Sequence, residues 1–299
     1  MSEVKALINL GELSKPATVL IEKISDAIGG IFRPWQIRRV AQAEAEAEKA
    51  LAVSRIEITA LQRRAVKRFL VEEAKKQDNI ETITEKALPQ LQEAASPEKV
   101  EDDWITNFFD KCRLISDDEM QTLWARVLAG EANSPGHYSK RTVHLLSTLD
   151  KSDAQLFRSL CSFGWWLVDV FVPLVFDVQD KMYNDAGIDY DSLKHLERIG
   201  LLSFETGGYL MRTALPEKIT PVYYGQPVEI VFLESQKRDL QVGVVHLSKP
   251  GLELVPVCGF APRTGFREYT IAKWKSVGLR VNDPAEVTEA VPHTGLSPS

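Results

Sequence analysis

The sequence predicts a mainly α protein with a C-terminal α+β module, in which a long helix and a helical bundle precede a winged-helix-like domain. Two observations lead to this prediction. Apolar residues recur at spacings of three and four through the N-terminal half, as on one face of a helix. Further along, short apolar runs alternate with glycine-containing turns, as between strands. The predicted regions are an amphipathic N-terminal helix (1–35), a long charged helix of coiled-coil-like character (36–95), a helical bundle (96–178), a winged-helix-like module (179–282) and a disordered tail (283–299).

The composition is that of an ordinary globular protein. The 299 residues are 44% hydrophobic and 26% charged, with a formal net charge of -6. This excludes a disulfide-stapled miniprotein and argues against coating of nucleic acid through overall positive charge. Cys112, Cys161 and Cys258 are far apart and form no CxxC motif, which favours reduced thiols. Because no basic stretch followed by an apolar run opens the sequence, we expect a cytoplasmic protein.

The first predicted element is an amphipathic helix from Leu13 to Trp35, with Ser14 as its N-cap. The Gly29-Gly30 pair weakens its last turn. Its apolar stripe suits packing in a core, an oligomer-forming coil or reversible membrane association, since tryptophan beside arginine is typical of a lipid boundary. The candidates for membrane or oligomer contact are Ile28, Ile31, Phe32 and Trp35.

Residues 36–77 contain no glycine or proline, which predicts one long helix. A seam of apolar residues at alternating spacings of three and four favours packing on another helix or subunit: Ile37, Val40, Ala47, Leu51, Ile58, Leu61 and Ala65. A basic cluster lies on successive turns: Arg63, Arg64, Lys67 and Arg68. Residues 33–76 carry eleven basic and six acidic residues, and residues 78–153 carry fifteen acidic and eight basic. The two segments therefore either dock on each other, within or between chains, or remain solvated.

The apolar segment from Phe163 to Phe176 is shorter than the roughly 20 residues that span a bilayer, so we expect a buried helix end running into a strand. After it, a helix over 191–199 is followed by two strands, 201–204 and 209–212, predicted to pair across a Thr-Gly-Gly turn. This is the order of a winged helix. Its would-be recognition helix carries few cations, which favours a structural or protein-docking role over binding of DNA.

No catalytic residue, metal site or cofactor is predicted. The five histidines form no ligand spacing, and the common hydrolase, nucleotide-binding and kinase motifs are absent from the sequence. Asp102, Asp103 and Glu119 are residue types that a metal-dependent nuclease uses. Asp102 and Asp103, however, are predicted to lie in the first turns of a helix after Pro97, where carboxylates suit the helix dipole, so we expect them to be structural.

The best-defined local motif reads LWARVLAGE over 123–131 and is followed by SPGHYSKRT over 134–142. The turn between them is predicted either to bind a partner or an anion, or to be a capped interhelical turn in which Glu131 pairs with a neighbouring cation. Its candidate binding residues are Glu131, His137, Tyr138, Lys140 and Arg141.

With LSTL at 146–149 and DAQLF at 153–157, this motif resembles an uncharacterised bacterial family, a domain of unknown function, over roughly residues 5–255. The N-terminal part resembles the abortive-infection alpha family in its amphipathic helix, glycine pair and long charged helix. The first resemblance implies a bacterial cytosolic protein without an established activity. The second implies a role in defence against phage.

We therefore expect a non-enzymatic interaction or oligomerisation protein of bacterial antiphage defence, with a homo-oligomer or another protein as its partner. The alternative is a winged-helix regulator that binds nucleic acid with help from the basic cluster. A cryptic hydrolase is the third possibility.

Overall fold

A computed structural model describes residues 13–29, 59–233 and 237–284. The chain divides into two units, Met1–Thr148 and Leu149–Ser299. The boundary thus lies at 148 and not at the expected 178. The physical reason is strand pairing, because Trp166 of the apolar segment pairs with Val222 of the second unit.

The described part of the first unit is helical. Its helices are α1 (Lys15–Ile28), α2 (Ala60–Ala87), α3 (Asp102–Cys112), α4 (Asp118–Asn133) and α5 (Lys140–Leu146), with 3-10 turns at Leu88–Gln90 and Pro97–Lys99. The core is aromatic where α3 meets α4. The Phe108 ring lies 5.0 Å from that of Trp104 and 5.1 Å from that of Trp124, and all three side chains are buried.

Helix α1 begins as predicted and ends earlier. The Ser14 hydroxyl accepts a hydrogen bond from the Ala17 amide, and Gly29, at φ +76°, caps the C-terminal end. The stripe faces α3, and Leu20 and Ile24 are fully buried. Ile28 is half-buried, whereas Ile31, Phe32 and Trp35 lie outside the described residues.

Helix α2 differs at both ends from the predicted helix over 36–77. A capping box between Thr59 and Gln62 starts it at Ala60, because each side chain accepts a hydrogen bond from the other's backbone amide. It continues ten residues past Gln77, to Ala87. Most of the predicted seam, Ile37, Val40, Ala47, Leu51 and Ile58, lies outside the described residues.

The second unit mixes helices with small antiparallel sheets. Its helices are α6 (Lys151–Cys161), α7 (Lys181–Asn184), α8 (Tyr190–Arg198), α9 (Lys249–Leu254) and α10 (Phe266–Ser276). Its strands are β1 (Gly164–Leu167), β2 (Val170–Pro173), β3 (Leu202–Phe204), β4 (Leu210–Arg212), β5 (Lys218–Ile219), β6 (Val222–Tyr223), β7 (Gln226–Pro227), β8 (Glu229–Val231), β9 (Leu240–Gly243), β10 (Val245–Leu247) and β11 (Arg280–Asn282). They form the sheets β2-β1-β6-β7, β11-β8-β5, β10-β3 and β4-β9. The coarse α+β prediction is therefore confirmed.

The apolar segment at 163–176 is a β-hairpin rather than a helix end. Strands β1 and β2 pair with Trp165 opposite Val172, and Val168 turns the chain at φ +63°. Trp165 is fully buried against Trp274 of α10, with ring centroids 4.9 Å apart. Within the described ranges, the chain contains no helix with the length and apolarity that crossing a bilayer requires.

The predicted winged-helix hairpin does not form. Strand β3 pairs with β10 and strand β4 pairs with β9, and neither pairs with the other. Because β9 and β10 follow each other along the chain, residues 202–212 run beside 240–247 as one interrupted strand, with the glycine-containing segment as an excursion. The predicted turn is therefore not a reversal of the chain.

The folded region extends beyond the predicted start of the tail at 283. Asp283 is buried and accepts two hydrogen bonds of 2.6 Å from the Arg267 guanidinium of α10. This bidentate pair holds the end of β11 against α10. Residues 285–299 lie outside the description.

Candidate functional site

The family-like motif is built mainly of buried residues. On α4, Trp124, Ala125 and Leu128 are buried in the first unit. The Tyr138 ring packs so closely on Gly130 that a Cβ atom at this position would lie 2.7 Å from the ring. The position therefore requires glycine. Tyr138 is itself buried, and the Trp104 indole donates a hydrogen bond of 2.6 Å to its carbonyl oxygen. These contacts explain the motif as a folding element.

Glu131 closes the turn from inside. Its side chain is 2% exposed, and its carboxylate oxygens accept hydrogen bonds from the backbone amides of Gly136 (2.6 Å) and Tyr138 (2.8 Å). Gly136 adopts φ +87°, which brings its amide towards the carboxylate. The Glu131 carboxylate thus turns inward, and the expectation that the Tyr138 side chain projects from the turn is wrong. The carboxylate turns inward because backbone amides, which no side-chain pattern reveals, provide its partners.

Three of the five predicted turn residues remain on the surface. His137, Lys140 and Arg141 are exposed, and the Lys140 ammonium lies 3.5 Å from a carboxylate oxygen of Asp103 on α3. A solvated pair of this kind contributes little to stability. The turn thus presents a small, mostly cationic surface on a rigid base.

A larger surface is the exposed segment of α2, residues 60–72, in which every residue is solvent-exposed. It carries five large apolar side chains: Leu61 (68% exposed), Val66 (38%), Phe69 (59%), Leu70 (55%) and Val71 (62%). At 100° per residue, Leu61, Ala65 and Phe69 lie along one side, with Val66 and Leu70 beside them. Such a concentration of uncovered apolar side chains is typical of an interaction surface.

The basic cluster lies on the same exposed segment. Arg63, Arg64, Lys67 and Arg68 are all exposed; Arg63 and Lys67 lie opposite the Leu61–Phe69 row, whereas Arg68 lies next to Leu61. Arg68 pairs with Glu72 over 3.4 Å, with both side chains more than half exposed. The exposed segment therefore presents basic and apolar side chains together.

The other half of α2 anchors this segment. Ile80, Ile83 and Ala87 are buried, and α2 packs on α4. Asn79 donates to the Arg113 carbonyl oxygen at 2.8 Å and accepts from the Gln121 amide at 3.2 Å. Because both amide side chains are buried, these bonds specify one rotational setting of the helix. The exposed segment is thus presented in a defined orientation.

The would-be recognition helix, α8, uses its polar side chains for internal contacts. The Lys194 ammonium lies 2.8 Å from the Glu197 carboxylate, whose second oxygen accepts from the Phe204 amide. These contacts lower the pKa of Glu197. His195 lies 2.6 Å from a carboxylate oxygen of Asp153 on α6. Because these side chains are paired within the second unit, α8 has few free cations with which to bind nucleic acid.

Sequence reasoning missed an open cleft of about 530 Å³ in the second unit. Residues from separate segments line it, among them Phe176, Met211, Lys273, Trp274 and Leu279. Beside it, the Tyr269 hydroxyl donates a 2.7 Å hydrogen bond to Asp180, which lowers the pKa of that carboxyl group. No sequence motif links these segments, so local patterns contain no signal for the cleft.

The described residues bring together no three His, Cys, Asp or Glu side chains that would suit a metal ion. In comparisons with known proteins, the model of a family described as a protein of unknown function (DUF2806) matches residues 63–270. No curated protein and no solved structure matches the sequence significantly.

Proposed function

The chain belongs to the DUF2806 family of proteins of unknown function, and we propose that it is a non-enzymatic interaction protein that assembles with a second copy of itself. The exposed segment of α2 docks on the acidic helix ends of that second copy. The observation that carries the proposal is the exposure of apolar side chains over 60–72 on a helix whose other half is firmly packed.

The apolar side chains supply the driving force for association. Full burial of a leucine or phenylalanine side chain contributes about 1.5–3 kcal/mol. Leu61, Phe69 and Leu70 are each more than half exposed, so a contact that covers them recovers much of this free energy. Part of it offsets the entropy lost on association, which leaves a dimer of moderate affinity.

Charge complementarity selects the opposite surface. The first turns of α3 and α4 carry Asp102, Asp103 and Asp118, whose side chains are 75%, 89% and 88% exposed. Each already lies beside a lysine of its own chain (Lys23, Lys140 and Lys86), but its exposure leaves it accessible to the basic cluster of another copy. Two such contacts related by a twofold axis would close a dimer. Because the charged groups are solvated, added salt weakens the contact.

The test is the sedimentation of the full-length chain at tens of micromolar, a concentration of about the order at which moderate affinities show. We expect a dimer or larger assembly that shifts towards monomer with salt and in the double variant Leu61→Ser, Phe69→Ser. The matched control is Leu114→Ser, since Leu114 is a 67% exposed leucine of the same unit outside the segment. A monomeric wild-type chain, or equal effects of the control and the double variant, contradicts the proposal.

The alternative function, a regulator that binds nucleic acid, draws its support from the basic cluster rather than from α8. It predicts that a labelled DNA duplex binds with a steep salt dependence and that Arg63→Glu with Lys67→Glu abolishes binding. If the chain is a monomer and binds the duplex tightly, the proposal of assembly is wrong and nucleic-acid binding is the better-supported function.

The proposed setting is bacterial antiphage defence, on the likeness of the N-terminal pattern to the abortive-infection alpha family. The same Leu61→Ser, Phe69→Ser variant provides the readout in cells. Bacteria that express the wild-type chain should reduce phage plaque counts, and bacteria that express the variant should not. If the wild-type chain assembles but does not reduce plaque counts, the proposed role in antiphage defence is wrong and the proposal of assembly stands.

A further inference from the structure

The cleft of about 530 Å³ in the second unit is built from three separate parts of the chain. They are the two-stranded sheet β4-β9, the C-terminal part of α10 and the segment that follows β2. Met211 of β4 and Gln241 of β9 are directly opposite each other across the strands, and both line the cleft. Small-molecule sites in proteins have volumes of about 300–1,000 Å³. The cleft is therefore large enough to hold a small ligand.

Apolar side chains line part of this cleft. Phe176 and Trp274 are buried there, whereas Tyr209, Met211 and Val277 are 59%, 49% and 61% exposed. Aromatic rings and a thioether provide polarizable surfaces on which a planar apolar group packs well. Uncovered apolar side chains that gather in a concave site are typical of ligand binding.

Charged side chains of both signs line the same cleft. They are Asp177, Lys237, Asp239 and Lys273. Two positive and two negative groups leave no net charge, so this lining does not favour a polyanion such as a nucleotide. Within the described part of the chain, neither Asp239 nor Lys273 forms an ion pair. The cleft therefore retains one charge of each sign that a ligand can neutralise.

Lys273 and Asp239 are held in place by their surroundings. The Lys273 ammonium lies 5.4 Å from the centroid of the Tyr269 ring, and this cation–π contact restrains the side chain. Asp239 is half-buried and directly precedes β9. Asp177, by contrast, is exposed and already accepts a hydrogen bond of 2.9 Å from the Gln179 amide. Lys273 is thus the better partner for a carboxylate, and Asp239 the better partner for an ammonium group.

We propose that this cleft binds a free amino acid with an aromatic side chain. The ring of the ligand packs on Trp274 and Met211, its carboxylate pairs with Lys273, and its ammonium group pairs with Asp239. A ligand that lacks either charge leaves one charged side chain of the cleft without a partner, which weakens binding. The site belongs to the second unit, and it does not depend on assembly through α2.

The test is saturation-transfer NMR of the full-length chain with L-phenylalanine, a method that detects weak binding of small ligands. For a ligand of this size we expect a dissociation constant on the order of 1 mM. N-acetyl-L-phenylalanine lacks the ammonium group and L-phenylalaninamide lacks the carboxylate, so each should bind about tenfold more weakly. L-alanine lacks the ring and should also bind more weakly than L-phenylalanine.

Two variants assign the charges of the ligand to their partners. Lys273→Gln should weaken the binding of L-phenylalanine about tenfold and leave that of the amide unchanged. Asp239→Asn should weaken the binding of L-phenylalanine about as much and leave that of the N-acetyl derivative unchanged. Lys275→Gln is the matched control, because Lys275 is an exposed lysine of the same helix that does not line the cleft.

The proposal is overturned if L-phenylalanine at about 10 mM, well above the expected dissociation constant, shows no saturation transfer. It is also overturned if either derivative or adenosine monophosphate binds as tightly as L-phenylalanine. An effect of Lys273→Gln no larger than that of Lys275→Gln contradicts it as well. The comparison among ligands uses the wild-type chain, so it decides the matter even if a variant fails to fold.

Discussion

Glu131→Ala should destabilise the first unit strongly, although the residue belongs to a surface turn. The substitution removes the acceptor of two backbone amides, those of Gly136 and Tyr138, and the second of these is buried. A hydrogen bond to a charged group contributes about 1.5–3 kcal/mol, so the loss of both costs about 3–6 kcal/mol. This is a large part of the about 5–15 kcal/mol by which a domain is stable.

The assay is hydrogen exchange measured by mass spectrometry, because it reports the two units separately. Amides of α4 and α5 should lose protection in Glu131→Ala, while those of the second unit keep theirs. Glu131→Gln retains one acceptor oxygen and should give an intermediate loss. Arg141→Ala is the matched control in the same turn. Because the Arg141 side chain is exposed, its removal should change the free energy of unfolding by no more than about 0.5 kcal/mol. Protection in Glu131→Ala within about 0.5 kcal/mol of wild type would refute the argument that Glu131 closes the turn.

Two further predictions concern helix α1 of the first unit and the hydrogen bond between Tyr269 and Asp180 of the second unit. Leu20→Ala removes a fully buried side chain between α1 and α3 and should cost about 2–5 kcal/mol in chemical denaturation. A loss no larger than that of exposed Glu22→Ala would show instead that α1 is easily detached. Tyr269→Phe removes the hydrogen bond that lowers the pKa of Asp180 from 3.8, so NMR titration should show this pKa rise. A carboxyl group whose pKa is lowered by folding stabilises the fold at pH values above its ordinary pKa, and this stabilisation disappears as the pH falls through the pKa in the folded state. Tyr269→Phe should therefore lose less stability on acidification than the wild type does. An unchanged pKa of Asp180 in this variant would show that the Tyr269 hydroxyl does not control the titration of Asp180.

Predictions based on neighbouring residues agree with the structure. Ser14 caps α1, as expected where a hydroxyl precedes a proline-containing first turn. Cap bonds and helical periodicity join residues within about four positions, so the local sequence contains the information that they require.

Partners distant in the sequence escaped prediction. The predicted strand over 201–204 was expected to pair with 209–212, yet β3 (Leu202–Phe204) pairs with 245–247. Strand alternation shows which side of a strand is apolar and leaves open which strand will lie beside it.

The sequence by itself determined the helical N-terminal part, the mixed C-terminal part, the caps and the basic cluster on one helix. Folding decided that the Glu131 carboxylate turns inward and that the apolar side chains of residues 60–72 remain exposed. Both outcomes depend on what the rest of the chain brings near, since burial and contact are properties of the packed whole.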